Sequence, residues 1–353
     1  MRAFFVRAFR TLLGIALFFA GYGLTCLGIR HFLPTDRVPI VSVKMDYWSQ
    51  HADDFDVAFF GSSRTFRQIV PEIFEKDLAA AGMKVKVFNL GIDGMRPPED
   101  TFYMEQAFSY RKTPIKIVIV ECNPIRLVTR DEDKGTVRSV YWHDWPRLVS
   151  IFHKAFFFDN KKRKLGDRIR KVWFAWGPFQ EHLEYWLWNN ANAGRGHDAL
   201  FKLLNVDQLP PFSKSDLGRR VDGYKPPADV ELMDEQKTKF YNAKKAEVLA
   251  KPPKPDPGDL ASLAEIRKKN RLVEKAGGKM FLVVPPVLSE NNIALTEGNG
   301  IPPVFDFSDQ QKYPELFDPL HRSDTGHTNY AGAVIYTHLI VQKMLPLLKP
   351  NSP

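Results

Sequence analysis

Between Asp56 and Glu121 the chain repeats one rhythm, strand then helix, and ends it on a third strand. Asp56-Val-Ala-Phe-Phe60 reads as a buried strand entering a turn at Gly61. Pro71 suits the first turn of a helix running to about Ala81, and Gly82 closes it. Lys84 to Leu90 alternates as a strand should, Gly91-Ile-Asp-Gly94 is a loop, and a second helix runs from Pro97 to about Tyr110. Ile115 to Glu121 is apolar enough to lie inside a sheet. This spacing predicts an α/β protein with a mainly parallel sheet and helices on both faces. Ligands of open parallel sheets bind beyond the carboxyl ends of the strands. Three polar segments fall at such ends: Ser62-Ser63 after the first strand, Gly94 after the second and Asn123 after the third.

The rhythm stops near Arg126. From there to about residue 258 the chain is rich in aromatic and basic residues, without strand-helix alternation, and we read it as a mostly helical insertion. A flexible or extended stretch is expected from about Gln208 to Asp256, ending in the Pro- and Lys-rich Lys251 to Pro257. Leu260 to Ala276 reads as an amphipathic helix stopped by Gly277-Gly278, Met280 to Val284 as a strand, and Asn329 to Leu348 as the closing helix. The expected division is an anchor over 1–33, a first part of the α/β domain over 34–125, the insertion over 126–258 and a second part over 259–353.

Arg2, Arg7 and Arg10 precede a charge-free run from Thr11 to Ile29. That is close to the ~20 residues a helix needs to cross a bilayer. The arginines should stay in the cytoplasm, placing the rest of the chain outside, on the periplasmic side of an inner membrane. A cleaved signal peptide is the competing reading. An outside location argues against nucleic acid as the partner of a chain with formal net charge +9, and for a membrane surface or an acidic glycan. The two cysteines, Cys26 and Cys122, do not suggest a disulfide framework.

The chemistry-bearing residues are few. Asp324-Thr-Gly-His327 places a carboxylate and an imidazole one turn apart ahead of an apolar helix, so the histidine can serve as base for a nucleophile held elsewhere. Asp318-Pro-Leu-His321 shares that spacing but lacks the Asn-x-x-Gly and the apolar helix that follow His327. Arg64, Arg67 and Arg96 lie near the serine and glycine segments, where they could bind an acidic group or form ordinary ion pairs. Trp173, Trp176, Trp186 and Trp188 could stack on sugars, meet a membrane interface or simply pack the insertion. The nine histidines show no metal-ligand spacing, and no cofactor is expected.

Gly61-Ser62-Ser63 after a strand, Asn89-Leu-Gly-Ile-Asp-Gly94, Asn123 and Asp324-x-x-His327 together resemble the SGNH (GDSL-like) hydrolase superfamily, over roughly 55–123 and 260–348. The resemblance implies a three-layer α/β/α, flavodoxin-like fold. It implies Ser63 as nucleophile, His327 as base, Asp324 as its orienting acid, and Ser63, Gly94 and Asn123 as the oxyanion hole. The choice of Ser63 over Ser62 rests on it. Two departures stand out. Ser62 replaces the usual acid of the Gly-Asp-Ser turn, and the third block reads Glu121-Cys122-Asn123-Pro124 where Gly-x-Asn-Asp is usual. With its N-terminal anchor the chain looks most like the membrane-tethered branch that includes the alginate O-acetylation proteins and the teichoic-acid D-alanylation protein. The expected function is a serine esterase or O-acyltransferase acting on an exported polysaccharide, its acyl donor delivered by a membrane acyltransferase. The alternative is a degenerate glycan-binding or assembly subunit.

Overall fold

The computed structural model describes residues 2–32, 38–157, 164–191, 217–226, 232–252, 260–288, 295 and 297–348. Five parallel strands form the sheet: β1 (Val57–Phe60), β2 (Val87–Asn89), β3 (Ile117–Glu121), β4 (Lys279–Val284) and β5 (Val304–Asp306), in the order β2-β1-β3-β4-β5. Eleven α-helices are described: α1 (Arg2–Phe32), α2 (Pro39–His51), α3 (Ser63–Gln68), α4 (Pro71–Ala80), α5 (Glu99–Ser109), α6 (Val137–Tyr141), α7 (Trp145–Phe156), α8 (Leu165–Ala191), α9 (Glu235–Ala250), α10 (Leu260–Lys275) and α11 (Tyr330–Leu348).

Alternation along each strand splits the core in two. Val57, Phe59, Ile119, Phe281 and Val283 point to the face covered by Phe74 and Leu78 of α4 and by Tyr336, Ile340 and Met344 of α11. Ala58, Phe60, Val120, Leu282 and Val284 point to the other, where Trp48 of α2, Tyr103 and Met104 of α5 and Ile266 of α10 pack. Strands buried on both faces must read as nearly continuous apolar runs, and these do. Local signals set the helix ends. Pro71 opens α4 at its first position, and Gly82 (φ 88°) turns the chain back after it. The α11 start is capped by Asn329, whose Oδ1 accepts the Gly332 N–H at 3.1 Å.

Several expectations shift. The lead between α1 and the first strand contains α2, which fills one sheet face. The expected second helix starts at Glu99, beyond a cis Pro97–Pro98 bond. The strand expected over Lys84 to Leu90 shortens to Val87–Asn89, and β5 was not anticipated. The extended stretch expected from Gln208 to Asp256 is corrected in its second half: α9 is a regular 16-residue helix. Asp234 caps it by accepting the Lys237 N–H at 2.7 Å, and Tyr241, its one buried residue, donates its hydroxyl to the Phe317 carbonyl at 3.0 Å. One anchor in sixteen residues leaves no apolar period to read. Gln208 to Asp216 and most of the Pro- and Lys-rich segment lie outside the described residues, as do Lys161 to Arg163.

Between 126 and 258 the described residues include α6, α7, α8 and α9, while 126–136 and 217–226 are not α-helical. The insertion is not independent of the sheet domain, because Ile151, Ala155, Ala175 and Phe179 share a cluster with Ile125 and with Ala261 of α10. α1 is long and apolar enough to cross a membrane and buries none of that span. α11 passes the same test of length and composition, but its Tyr336, Ile340, Val341 and Met344 belong to the core.

The packed rings test this arrangement. Phe74 is fully buried, with its ring 5.0 Å from that of Phe59. Phe74→Ala should lower unfolding free energy by about 3–5 kcal/mol, read from the urea midpoint. A loss under ~1 kcal/mol would mean that α4 is not seated on this face.

Candidate functional site

With β1 between β2 and β3, the segments leaving these three strands are neighbours at one edge of the sheet. Here the strand order changes direction, which opens a crevice. At the centre is the turn Gly61-Ser62-Ser63. A Cβ at Gly61 would lie 2.1 Å from Thr65 Oγ1 and 2.5 Å from Glu121 Cβ, so only glycine fits.

Glu121 is the group that crowds it. The carboxylate, 1% exposed, accepts the Ser62 N–H at 2.7 Å, the Ser62 hydroxyl at 2.8–2.9 Å, Thr65 Oγ1 at 3.1 Å and Arg64 Nε at 2.7 Å. Burial pushes its carboxyl up, but the Arg64 guanidinium and the Ser62 N–H and hydroxyl outweigh that and hold it below the ordinary 4.5. Ser62 is thereby turned inward and fully engaged. Ser63, the next residue, opens α3 and faces the crevice.

Ser63 Oγ lies 2.7 Å from His327 Nε2, across 264 positions of sequence. The His327 ring is held from behind, its Nδ1 lying 2.9 Å from Asp324 Oδ2 and 3.1 Å from Oδ1. Asp324 Oδ1 also accepts the backbone N–H groups of Gly326 and His327 at 2.6 and 2.7 Å. Burial raises the Asp324 carboxyl, yet the His327 ring and these two N–H groups bring it down to about 2. An ionised carboxylate can only accept, so the proton sits on Nδ1 and the Nε2 lone pair faces Ser63. His321 is placed elsewhere. Its Nδ1 meets the Glu315 carbonyl at 2.6 Å, and Asp318 caps a 3₁₀ turn through the Leu320 N–H at 2.9 Å.

The His327 loop is pinned from below. Arg322 is fully buried and donates to the carbonyls of Pro286 (2.7 Å), Asp324 (3.2 Å) and Leu316 (3.4 Å). Burial brings its guanidinium down to about 10, so it remains protonated at neutral pH. Thr337 of α11 accepts the Val70 N–H at 3.0 Å, joining the histidine side of the site to the α3–α4 connection.

Asn123 leaves β3 two residues after Glu121. Its Oδ1 accepts Arg64 Nη2 at 2.8 Å. A guanidinium has no acceptor, so the atom facing it must be the oxygen, and the amide orientation is settled. The Asn123 Nδ2 is buried with no hydrogen-bond partner among the described residues. It helps hold Glu121 ionised without reaching proper bonding geometry. A buried amide N–H2 that makes no well-formed hydrogen bond is costly, and it can still donate to an acceptor brought into the site.

On the other flank, Gly94 adopts φ 70°, a region glycine enters without strain, and Arg130 Nη1 would lie 1.8 Å from a Cβ there. The β2 loop is tied to α3 by Asn89, whose amide donates to the Thr65 and Ile69 carbonyls at 2.8 and 3.0 Å and whose Oδ1 accepts the Gly91 N–H at 2.9 Å. Beneath it the fully buried Lys44 of α2 donates to the Asn89 and Gly91 carbonyls, with its Nζ 3.9 Å from the Phe66 ring centre. Burial lowers its ammonium well below the ordinary 10.5.

The arginines divide. Arg64 is corrected from a substrate contact to a structural one: it is 5% exposed and engaged with Glu121 and Asn123. Arg67 forms a two-pronged pair with Asp93 at 2.8 and 3.2 Å. Arg96 lines an open cleft that starts at Gly94, and Arg126, Arg130, Arg138 and His182 line it too. Glu121, Lys44 and Arg322 were missed from sequence. Of these only Glu121 left a trace, as the acid ending an otherwise apolar strand.

Among the described residues no group of His, Cys, Asp and Glu could hold a metal ion. The Cys122 thiol is buried and pushed up to about 12, so it is protonated at neutral pH. No protein-family model matches the chain, and no curated protein matches it.

Two outcomes test the geometry. Glu121→Gln removes the carboxylate charge that compensates the buried Arg64 guanidinium and should cost about 3–5 kcal/mol by chemical denaturation. A cost under ~1 kcal/mol would show that the carboxylate does not organise the turn. Asp324, with its folded value depressed from 3.8 to about 2, stabilises the fold above 3.8 and loses that contribution as pH falls toward about 2. The effect is small, because the side chain is 53% exposed. D324N should flatten Tm against pH on the acid side, and a profile parallel to the parent would count against the pairing.

Proposed function

We propose that the chain is a membrane-anchored serine O-acyltransferase or esterase with a three-layer α/β/α, SGNH-like domain, working outside the cytoplasm on an exported polysaccharide. The observation that carries the reading is the 2.7 Å contact from Ser63 Oγ to His327 Nε2, with Asp324 behind the ring. A serine hydroxyl is a weak nucleophile until a base takes its proton, and this arrangement provides one.

In the proposed reaction Ser63 Oγ attacks the carbonyl carbon of an acyl ester while Nε2 takes its proton. Negative charge develops on the carbonyl oxygen, where the unpartnered Asn123 Nδ2 can donate, with the backbone N–H groups of Ser63 and Gly94 as further donors. Collapse breaks the ester C–O bond, and the leaving alkoxide receives the proton from His327. An acceptor hydroxyl then gives its proton to Nε2 and attacks the acyl-enzyme; the bond from the acyl carbon to Ser63 Oγ breaks, and Oγ takes the proton back from Nε2. A glycan hydroxyl makes the reaction a transfer, and water makes it a hydrolysis. The anchor and the +9 formal charge favour a protein working beside a membrane machine on a polymer. A degenerate binding subunit would need neither the Ser63–His327 bond nor a buried donor left without an acceptor.

A fluorophosphonate probe should add its mass to Ser63, and S63A should take up none. H327A should react about a hundredfold to ten-thousandfold more slowly. N123A should lower kcat on an acetyl ester about a hundredfold to a thousandfold, and it should also cost about 1–3 kcal/mol of stability because it takes an acceptor from the buried Arg64 guanidinium. A parent protein that is folded but never labelled would overturn the enzyme reading and leave the binding subunit.

A further inference from the structure

We propose that the first half of α8 lies on the surface of the bilayer as a second, peripheral lipid contact beside α1; this rests on reading α1 as the membrane span. Leu165, Ile169, Val172, Trp173 and Trp176 are all exposed, and their spacing of i, i+4, i+7, i+8 and i+11 collects them into one stripe about 100° wide. Trp173 is 79% exposed. Of the three roles open to the insertion's tryptophans, packing does not describe Trp173. An indole so displayed is costly in water and favourable at a headgroup boundary.

The charges around the stripe fit lipid. Arg168 and Arg170 flank it and are exposed, Lys171 follows, and Asp167 is the only acid between Leu165 and Pro178. The chain leading into α8 reads Lys161-Lys162-Arg163-Lys164. A helix with a narrow apolar stripe and cationic flanks lies in the plane of an anionic interface. A soluble protein partner would also cover apolar surface, but position argues for lipid, because α8 touches α1. Any bilayer that takes in α1 therefore reaches the neighbourhood of α8. The second half of the same helix turns inward, burying Phe179, His182 and Tyr185, and His182 lines the cleft that begins at Gly94. One helix thus runs from the lipid surface to the candidate site, which holds the cleft close to any acyl donor delivered from the membrane.

The test uses the full chain in nanodiscs of phosphatidylcholine, with or without an equal share of phosphatidylglycerol. W173C carries an environment-sensitive fluorophore; the native Cys26 and Cys122 are both buried. L17C reports the span, and K76C on exposed α4 surface reports water. In discs containing phosphatidylglycerol, the label at 173 should be quenched by brominated lipid and be about threefold less accessible to iodide than the label at 76. R168E/R170E/K171E should remove that protection while the label at 17 stays in lipid. Lipid contact at 17 with full iodide access at 173 overturns the proposal, leaves the anchor standing and assigns the stripe to a protein partner. Because no outcome depends on turnover, failure here is separable from failure of the acyl-transfer reading.

Discussion

One buried carboxylate at the end of β3 organises the candidate site. Glu121 is taken out of water at a place where a lone charge would be prohibitive, and it stays ionised because Arg64, Ser62 and Thr65 surround it with donors. Three consequences follow from that single group. Gly61 can carry no side chain, Ser62 is turned inward, and α3 begins where Ser63 is left facing the crevice. Arg64 passes the constraint to Asn123, orienting its amide. A strand end, a turn and a neighbouring strand end are locked together by one electrostatic knot.

The histidine side is held by different means. Its loop is closed by the Arg322–Thr328 bridge and fastened to the body by the buried Arg322 guanidinium. α11 then carries that loop's position across to α4 through packing against the same sheet face. Ser63 and His327 meet although no local structure joins them, because α4 and α11 are neighbours on the sheet that β1 belongs to. Precision at 2.7 Å is a property of the whole sheet face.

The strand-helix rhythm from Val57 to Glu121 was legible because both sheet faces are buried, which forces uninterrupted apolar strands with glycine or proline at their ends. The Ser62-Ser63 turn, Asp324 and His327 were legible for a related reason, as short polar motifs placed where strands end or helices begin, but the choice of Ser63 over Ser62 came from the resemblance alone. The arginine expectation failed at Arg64 because charge alone does not say whether a side chain faces solvent or a buried carboxylate. α9 was missed because it sets only one fully buried residue, Tyr241, and a partly buried Val248 against the core, too few to mark an apolar period. β5 was missed because three residues after two prolines carry no period. Lys44 was beyond reach, since nothing in Pro39–His51 marks one lysine as buried among several polar residues.

That lysine has a topological consequence. α2 follows directly on the segment leading from α1, yet it supplies the ammonium that satisfies two carbonyls of the β2 loop and fills one face of the sheet. The boundary between the apolar N-terminal helix and the globular body therefore does not fall where the apolar run ends. Trimming the chain to its first strand would remove a floor beam of the candidate site, and a shortened form must begin ahead of Pro39 to remain whole.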